Sequence, residues 1–338
     1  MPSPHIIAAS EEICERLKVM KGQESDYMVP DYLSPEWQAH LAAAEVSGTP
    51  TDGNGDKSTP TPASFSGTMT VDWRDQICRW CFNVVDHYQL PRQSVSVAMN
   101  ILDRYVSSHV VTSTTYTLAT VTALHVANKL VNPWRLSMKH LLDLCGGKFS
   151  ADDVASMEQT ILNALSWRVH PPCAVDFCWE LIDCSFTQTT PHALNDLYDM
   201  ARYLTELAVC GYYFVTRKPS SIALAAIMHA IDLTDKHLDP RDKYSFYSIV
   251  AQVGLDVSDD EVTQCYAALR VMYKNNLVVD EEEACDGEVE GREEVVSPVG
   301  VGELADTTAS KKRKRVVEDK GGRLVTEHGE EIAHFVPV

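Results

Sequence analysis

From Val71 to about Asn276 the apolar residues recur at helical spacing. Ile77, Trp80, Cys81, Val84, Val85 and Tyr88 follow i, i+3, i+4, i+7, i+8, i+11, the stripe that one helix face buries. Pro91 marks a break. Val95, Ala98, Met99, Leu102, Tyr105 and Val106 then repeat the period. A third helix is expected from Ser113 or Thr114 to Leu130. It is apolar on most sides (Leu118, Ala119, Val121, Ala123, Leu124, Val126, Ala127), the signature of a central, buried helix. Pro133 lies just beyond it. A short helix with Met138, Leu141 and Leu142 stops at Gly146-Gly147. A fifth opens on Ser150-x-x-Asp153, which resembles a capping box, and carries Val154, Met157, Ile161, Leu162 and Leu165.

The second half reads as another round. Helices are expected near Val175–Asp183, His192–Tyr213, Ser220–Ile231, Tyr244–Val253 and Ser258–Tyr273. The third of these, SIALAAIMHAI, is again the most apolar, and the last opens on a capping box, Ser258-x-x-Glu261. A shift of 108 residues lays Ser150, Val154, Ile161 and Leu165 onto Ser258, Val262, Leu269 and Tyr273. The pattern predicts an all-α chain of two tandem five-helix domains, each with a buried third helix.

Outside this region the composition shifts. Residues 1–46 form an N-terminal extension with two weaker helical stretches, one over Ile6 to Met20 and one from Ser34-Pro35-Glu36, where Ser34 suits the N-cap and Pro35 the first turn. Residues 47–68 are rich in Gly, Pro, Ser, Thr and Asp and read as a flexible linker. The domains then span 69–170 and 171–278. Residues 279–338 are expected to be a disordered tail. Asp280 to Glu294 holds nine acidic residues and one Arg, and a basic block, Lys311, Lys312, Arg313, Lys314 and Arg315, follows.

Charge narrows the function. The 338 residues carry 48 Asp and Glu against 29 Lys and Arg, a formal net charge of −19. Direct nucleic-acid binding is not expected, because phosphate neutralisation needs clustered cations. The longest stretch without Lys, Arg, Asp or Glu, Tyr105 to Asn128, holds nine Ser or Thr in 24 residues and does not read as a membrane span. The first residues lack a signal-peptide pattern, so a reducing compartment and free thiols are expected for the ten Cys. Cys78 and Cys81 have C-x-x-C spacing, but no second ligand pair follows, and no metal is assigned. Phosphate-loop, dinucleotide, H-E-x-x-H and G-x-S-x-G motifs are missing, so neither a cofactor nor an enzymatic activity is expected.

Five positions on the expected helices carry a family resemblance. Arg74, Asp103, Leu118, Lys129 and Glu158 are separated by 29, 15, 11 and 29 residues, and the stretches Arg74 to Trp80, AMNILDRYVS (98–107), VANK (126–129) and MEQTIL (157–162) hold four of them. In this order and spacing they resemble the cyclin family over roughly 65–278. The AMN-x-LDR wording looks most like D-type cyclins and the expanded cyclin sets of diatoms. The sequence departs from mitotic cyclins in having Arg79, in place of Asp, before Trp80. It carries no L-x-C-x-E, R-x-x-L or KEN motif.

The resemblance implies a regulatory subunit that binds and activates a cyclin-dependent kinase in the cell cycle. Lys129 and Glu158 would form the polar centre of the kinase-facing surface. Arg74 and Asp103 would be a structural ion pair between the first two helices of the first domain, and Leu118 a core residue. Trp80, with Ile77, Gln76, Trp73 and Asn83, would line a groove for R-x-L substrate peptides. That groove is altered here, because Gln76 replaces an aliphatic residue and Asn83 replaces a Glu. The Lys311–Arg315 block reads as a nuclear import signal, placing the protein in the nucleus and in part in the cytoplasm. Two other classes fit a double helical repeat: a cyclin-fold transcription initiation factor, or a scaffold without a kinase partner. The first should show a basic DNA-facing surface and a zinc ribbon ahead of the repeats, and the sequence displays neither.

Overall fold

The computed structural model describes residues 4–47, 70–132 and 136–285, together with a short strand pair at 316–318 and 324–326. The N-terminal extension supplies α1 (Pro4–Glu24) and α2 (Pro35–Ser47). The first domain is α3 (Val71–His87), α4 (Gln93–Val106), α5 (Ser113–Val131), α6 (Met138–Leu144) and α7 (Ala151–Ala164). The second is α8 (Ala174–Ser185), α9 (Pro191–Cys210), α10 (Pro219–Thr234), α11 (Pro240–Val253) and α12 (Asp260–Cys285). Among the described residues no helix is long and apolar enough to cross a membrane.

Each domain has its own core. In the first, Ala119, Ala123, Leu124 and Ala127 of α5 are fully enclosed. In the second, Ala223, Ala225, Ala226 and Ile227 of α10 hold the equivalent place. Small residues on the third helix let the other helices pack closely around it. The cap chemistry works locally: Ser150 accepts from Asp153 N at 3.2 Å, and the Asp153 carboxylate accepts from Ser150 N at 2.8 Å, so α7 starts on a capping box.

Several boundaries differ from expectation. The α9 helix ends at Cys210, not Tyr213, and a 3-10 turn over Tyr212–Phe214 follows. Gly211 marks the break: a Cβ there would meet the Phe214 ring at 3.0 Å and the Met272 sulfur at 3.1 Å. The α11 helix begins at Pro240, four residues early, because Asp239 caps it by accepting from Arg241 N at 2.8 Å. The expected capping box at Ser258 does not form. Ser258 donates to Asp256 (2.6 Å from Oγ), and Glu261 reaches across to α10, accepting from Lys218 N at 3.1 Å and Ser221 Oγ at 3.0 Å.

The extension straps both domains. Cys14 and Leu17 of α1 are buried in the core of the second domain, and Arg16 pairs with Glu180 at 2.8 Å. Glu24 accepts from Ser220 N at 3.0 Å and Ser220 Oγ at 2.9 Å, satisfying the open start of α10. Further along, Val29 and Tyr32 are buried in the core of the first domain, and Trp37 Nε1 donates to Ser107 O at 2.8 Å. In the tail, Val316–Glu318 and Leu324–Thr326 pair antiparallel with Val317 opposite Val325. The β-branched and apolar residues of both segments suit strands. The Lys311–Arg315 block and most of the linker lie outside the described residues.

Candidate partner-binding site

Two packed helices of the first domain position the pair singled out in the sequence. Lys129 lies in the last turn of α5, beside the buried Val126 and Ala127. Glu158 lies on α7, one turn past Val154 and next to the half-buried Met157, both on the core side. The two heads meet: Lys129 Nζ donates to Glu158 Oε1. Their side chains are 27% and 22% exposed, so the pair sits at a solvent-facing edge. A pair so placed adds under ~1 kcal/mol to folding. Its geometric value is greater. An ammonium has three donors and a carboxylate about four acceptor sites, so two groups that hold each other in place keep capacity for a visiting backbone.

Apolar residues accompany the pair. Leu130 is 41% exposed, and Leu162, one turn after Glu158 on α7, is half-buried. Trp167 is 68% exposed, in the turn that closes α7 by a bond from Trp167 N to Leu162 O of 2.8 Å. Ser166 and Trp167 both adopt left-handed backbone, φ 51° and 63°, which costs roughly 1–2 kcal/mol per residue outside glycine. Trp167 thus presents a large aromatic face to solvent from strained backbone. The sequence reading missed Trp167, since no glycine or asparagine flags that turn.

Leu118 corrects an expectation. It is half-buried and lies outside the enclosed core, whereas Leu124 on the same helix is fully enclosed. The reason is helical phase: eleven residues make three turns, so Leu118 shares the outward face of α5 with Lys129.

Arg74 and Asp103 form a buried ion pair. Arg74 Nε and Nη2 meet the two Asp103 oxygens at 2.9 and 2.8 Å, and the side chains are 3% and 5% exposed. Arg74 Nη1 also donates to Val209 O at 3.0 Å and Cys210 O at 3.1 Å, the end of α9. Tyr32 adds a third arm by donating to Asp103 Oδ1 at 2.7 Å. Burial, and then the Asp103 charge, push the Tyr32 phenol well above its usual range, so it stays a donor. The pair therefore ties the extension and both domains together, beyond the two helices expected.

The residues of the expected docking groove are only partly on the surface. Gln76 and Asn83 are exposed, and Trp80 and Trp73 half-buried, with Trp73 stacked on Tyr116 at 6.5 Å. Ile77 is 2% exposed and belongs to the core, which removes it from the groove. Arg79 pairs with Asp75 at 3.0 Å on the outer face of α3.

In the second domain the corresponding contact differs. Tyr266, 108 residues after Glu158, donates from α12 to Asp232 of α10, so a phenol–carboxylate bond stands where the first domain has an ion pair.

Comparison with known proteins agrees with the two-domain architecture. A family model described as "Cyclin, N-terminal domain" matches residues 55–170, and one described as "Cyclin, C-terminal domain" matches 181–284. The G2/mitotic-specific cyclin-B2 of Oryzias luzonensis is 27% identical over 159 residues, 47% of this chain and 40% of that protein. The G2/mitotic-specific cyclin-1 of Antirrhinum majus is 26% identical over 186 residues, 55% of this chain and 37% of that one. The match thus spans about two fifths of these relatives, whose names are mitotic; the D-type likeness rests on residues 98–107 alone. In fold, the chain resembles an X-ray structure of a viral cyclin from herpesvirus saimiri, with a TM-score of 0.51 and 18% identity over 60% of this chain and 85% of that one.

Proposed function

This chain belongs to the cyclin family, and on that premise we propose that it is a regulatory subunit of a cyclin-dependent Ser/Thr kinase, with no chemistry of its own, serving cell-cycle progression. One observation carries the reading: Lys129 and Glu158, from different helices, meet as a partly exposed pair on the first domain. In this proposal Lys129 donates to, and Glu158 accepts from, groups around the kinase helix whose Glu pairs with the ATP-binding Lys. Leu118, Leu130 and Trp167 supply apolar contact around that polar centre. A subunit that binds the active arrangement better than the inactive one shifts the kinase population toward activity. The second domain, with Tyr266 bonded to Asp232, is assigned no such grip.

The altered groove belongs to the same proposal. Asn83 offers no charge to a peptide Arg, so an R-x-L peptide should bind weakly, and Asn83→Glu should tighten it in a fluorescence-polarisation titration; equal affinities would remove the groove assignment. Affinity capture of the full chain from cells tests the main reading. Recovery of a proline-directed kinase supports it. Recovery of promoter DNA or polymerase instead would favour the transcription-factor class.

A further inference from the structure

Cys78 and Cys210 are 132 residues apart in sequence and belong to different domains, yet their sulfurs touch at 3.5 Å. Cys78 lies on α3 and is fully enclosed; Cys210 ends α9 and is 8% exposed. Other bonds hold the contact in place. Arg74, itself locked to Asp103, donates to the carbonyls of Val209 and Cys210, so the end of α9 is clamped against α3. The function proposed above makes no use of either thiol.

We propose that Cys78 and Cys210 are an oxidisable pair that joins the two domains by a reversible disulfide. The roles are asymmetric. The S–H of Cys78, donated to Cys210 Sγ, holds the Cys210 thiol below its usual range, and the cationic Arg79 and Arg74 help; burial pushes Cys78 far above. Cys210 is 8% exposed and Cys78 fully enclosed, so Cys210 is the sulfur that an oxidant reaches first and Cys78 the resolving one. With hydrogen peroxide as oxidant, the Cys210 sulfur bonds one peroxide oxygen, the O–O bond breaks, and the leaving hydroxide takes the Cys210 proton as water. The Cys78 sulfur then attacks the sulfenic sulfur. The S–S bond forms, the S–O bond breaks, and the second hydroxide leaves as water with the Cys78 proton. Two thiols lose two electrons and one peroxide becomes two waters. The sulfurs need to close by about 1.5 Å from their 3.5 Å contact to reach bonding distance. Cytosolic disulfides of this transient kind are typical of redox sensing. The consequence is mechanical, since the bond cross-links α3 to α9 and fixes the angle between the domains.

The test treats the reduced full chain with one equivalent of hydrogen peroxide, blocks remaining thiols with N-ethylmaleimide and maps peptides without reduction. The expected result is a linked Cys78–Cys210 peptide that dithiothreitol abolishes, with a melting temperature raised in the oxidised form. In Cys78→Ser, Cys210 should accumulate as a sulfenic acid that dimedone labels, which wild type should not show. Recovery of both residues alkylated, of Cys210 as an unlinked sulfinic acid, or of Cys210 joined to Cys81 would overturn the proposal. The wild-type map decides the matter by itself if the variant does not fold.

Discussion

Tyr32 donates a 2.7 Å hydrogen bond to Asp103 Oδ1, which places a residue of the N-terminal extension on the ion pair buried between α3 and α4. Removing one member of such a pair leaves the other charge buried and alone. Asp103→Asn should therefore cost ~3–5 kcal/mol in urea unfolding. Tyr32→Phe removes a single bond to a charged acceptor that keeps its Arg74 contacts, and should cost ~1.5–3 kcal/mol. A Tyr32→Phe variant as stable as wild type would show that the extension is not anchored through this bond.

Leu118 and Leu124 provide an internal comparison on one helix. Leu124 is fully enclosed, so Leu124→Ala should cost ~2–5 kcal/mol; Leu118→Ala, half-exposed, should cost under ~1.5 kcal/mol. Equal losses in urea unfolding would return Leu118 to the core.

Asp176 gives a pH dependence with a definite sign. It accepts from Cys173 N at 2.9 Å at the start of α8, and burial pushes its carboxyl up to about 6 despite that bond. An unfolded aspartate titrates near ~3.9. Between these values the folded state binds more protons than the unfolded state, so this group's contribution to stability is present at low pH and is lost as pH rises from about 4 to about 6. The stability difference between wild type and Asp176→Asn should fall across that window and level off above it. A difference independent of pH would show that the carboxyl is not shifted.

Much of this architecture was legible before the structure, and for a physical reason. Helix order follows from apolar periodicity, and starts such as Ser150 from local cap chemistry, both of which depend on residues close in sequence. What was not legible depends on contacts far apart in the chain. The extension reads as two weak helices, yet Leu17 is buried in the second domain and Tyr32 in the first. Glu261 has the spacing of a cap partner for Ser258 but is drawn away to α10. Lys129 and Glu158 came from the family resemblance, since periodicity alone cannot separate them from ordinary solvated residues. Trp167 carried no signal, because left-handed backbone at Ser-Trp has no sequence mark.

The Lys311–Arg315 block makes a separate prediction for the tail. Deleting 309–338 from a fluorescently tagged chain should move it from nucleus to cytoplasm under the microscope. Retained nuclear signal would remove the import assignment from this block.

In the proposed function Lys129 and Glu158 together grip a kinase. The most direct measurement is the affinity of the full chain for its captured kinase in the variants Lys129→Ala/Glu158→Ala and Lys129→Glu/Glu158→Lys. The exchange variant can rebuild the internal pair but presents the wrong charges to a partner. Both should lose about 30-fold or more in affinity, equivalent to ~2 kcal/mol, while helical content and melting temperature stay close to wild type. Wild-type binding and activation by either variant would contradict the claim.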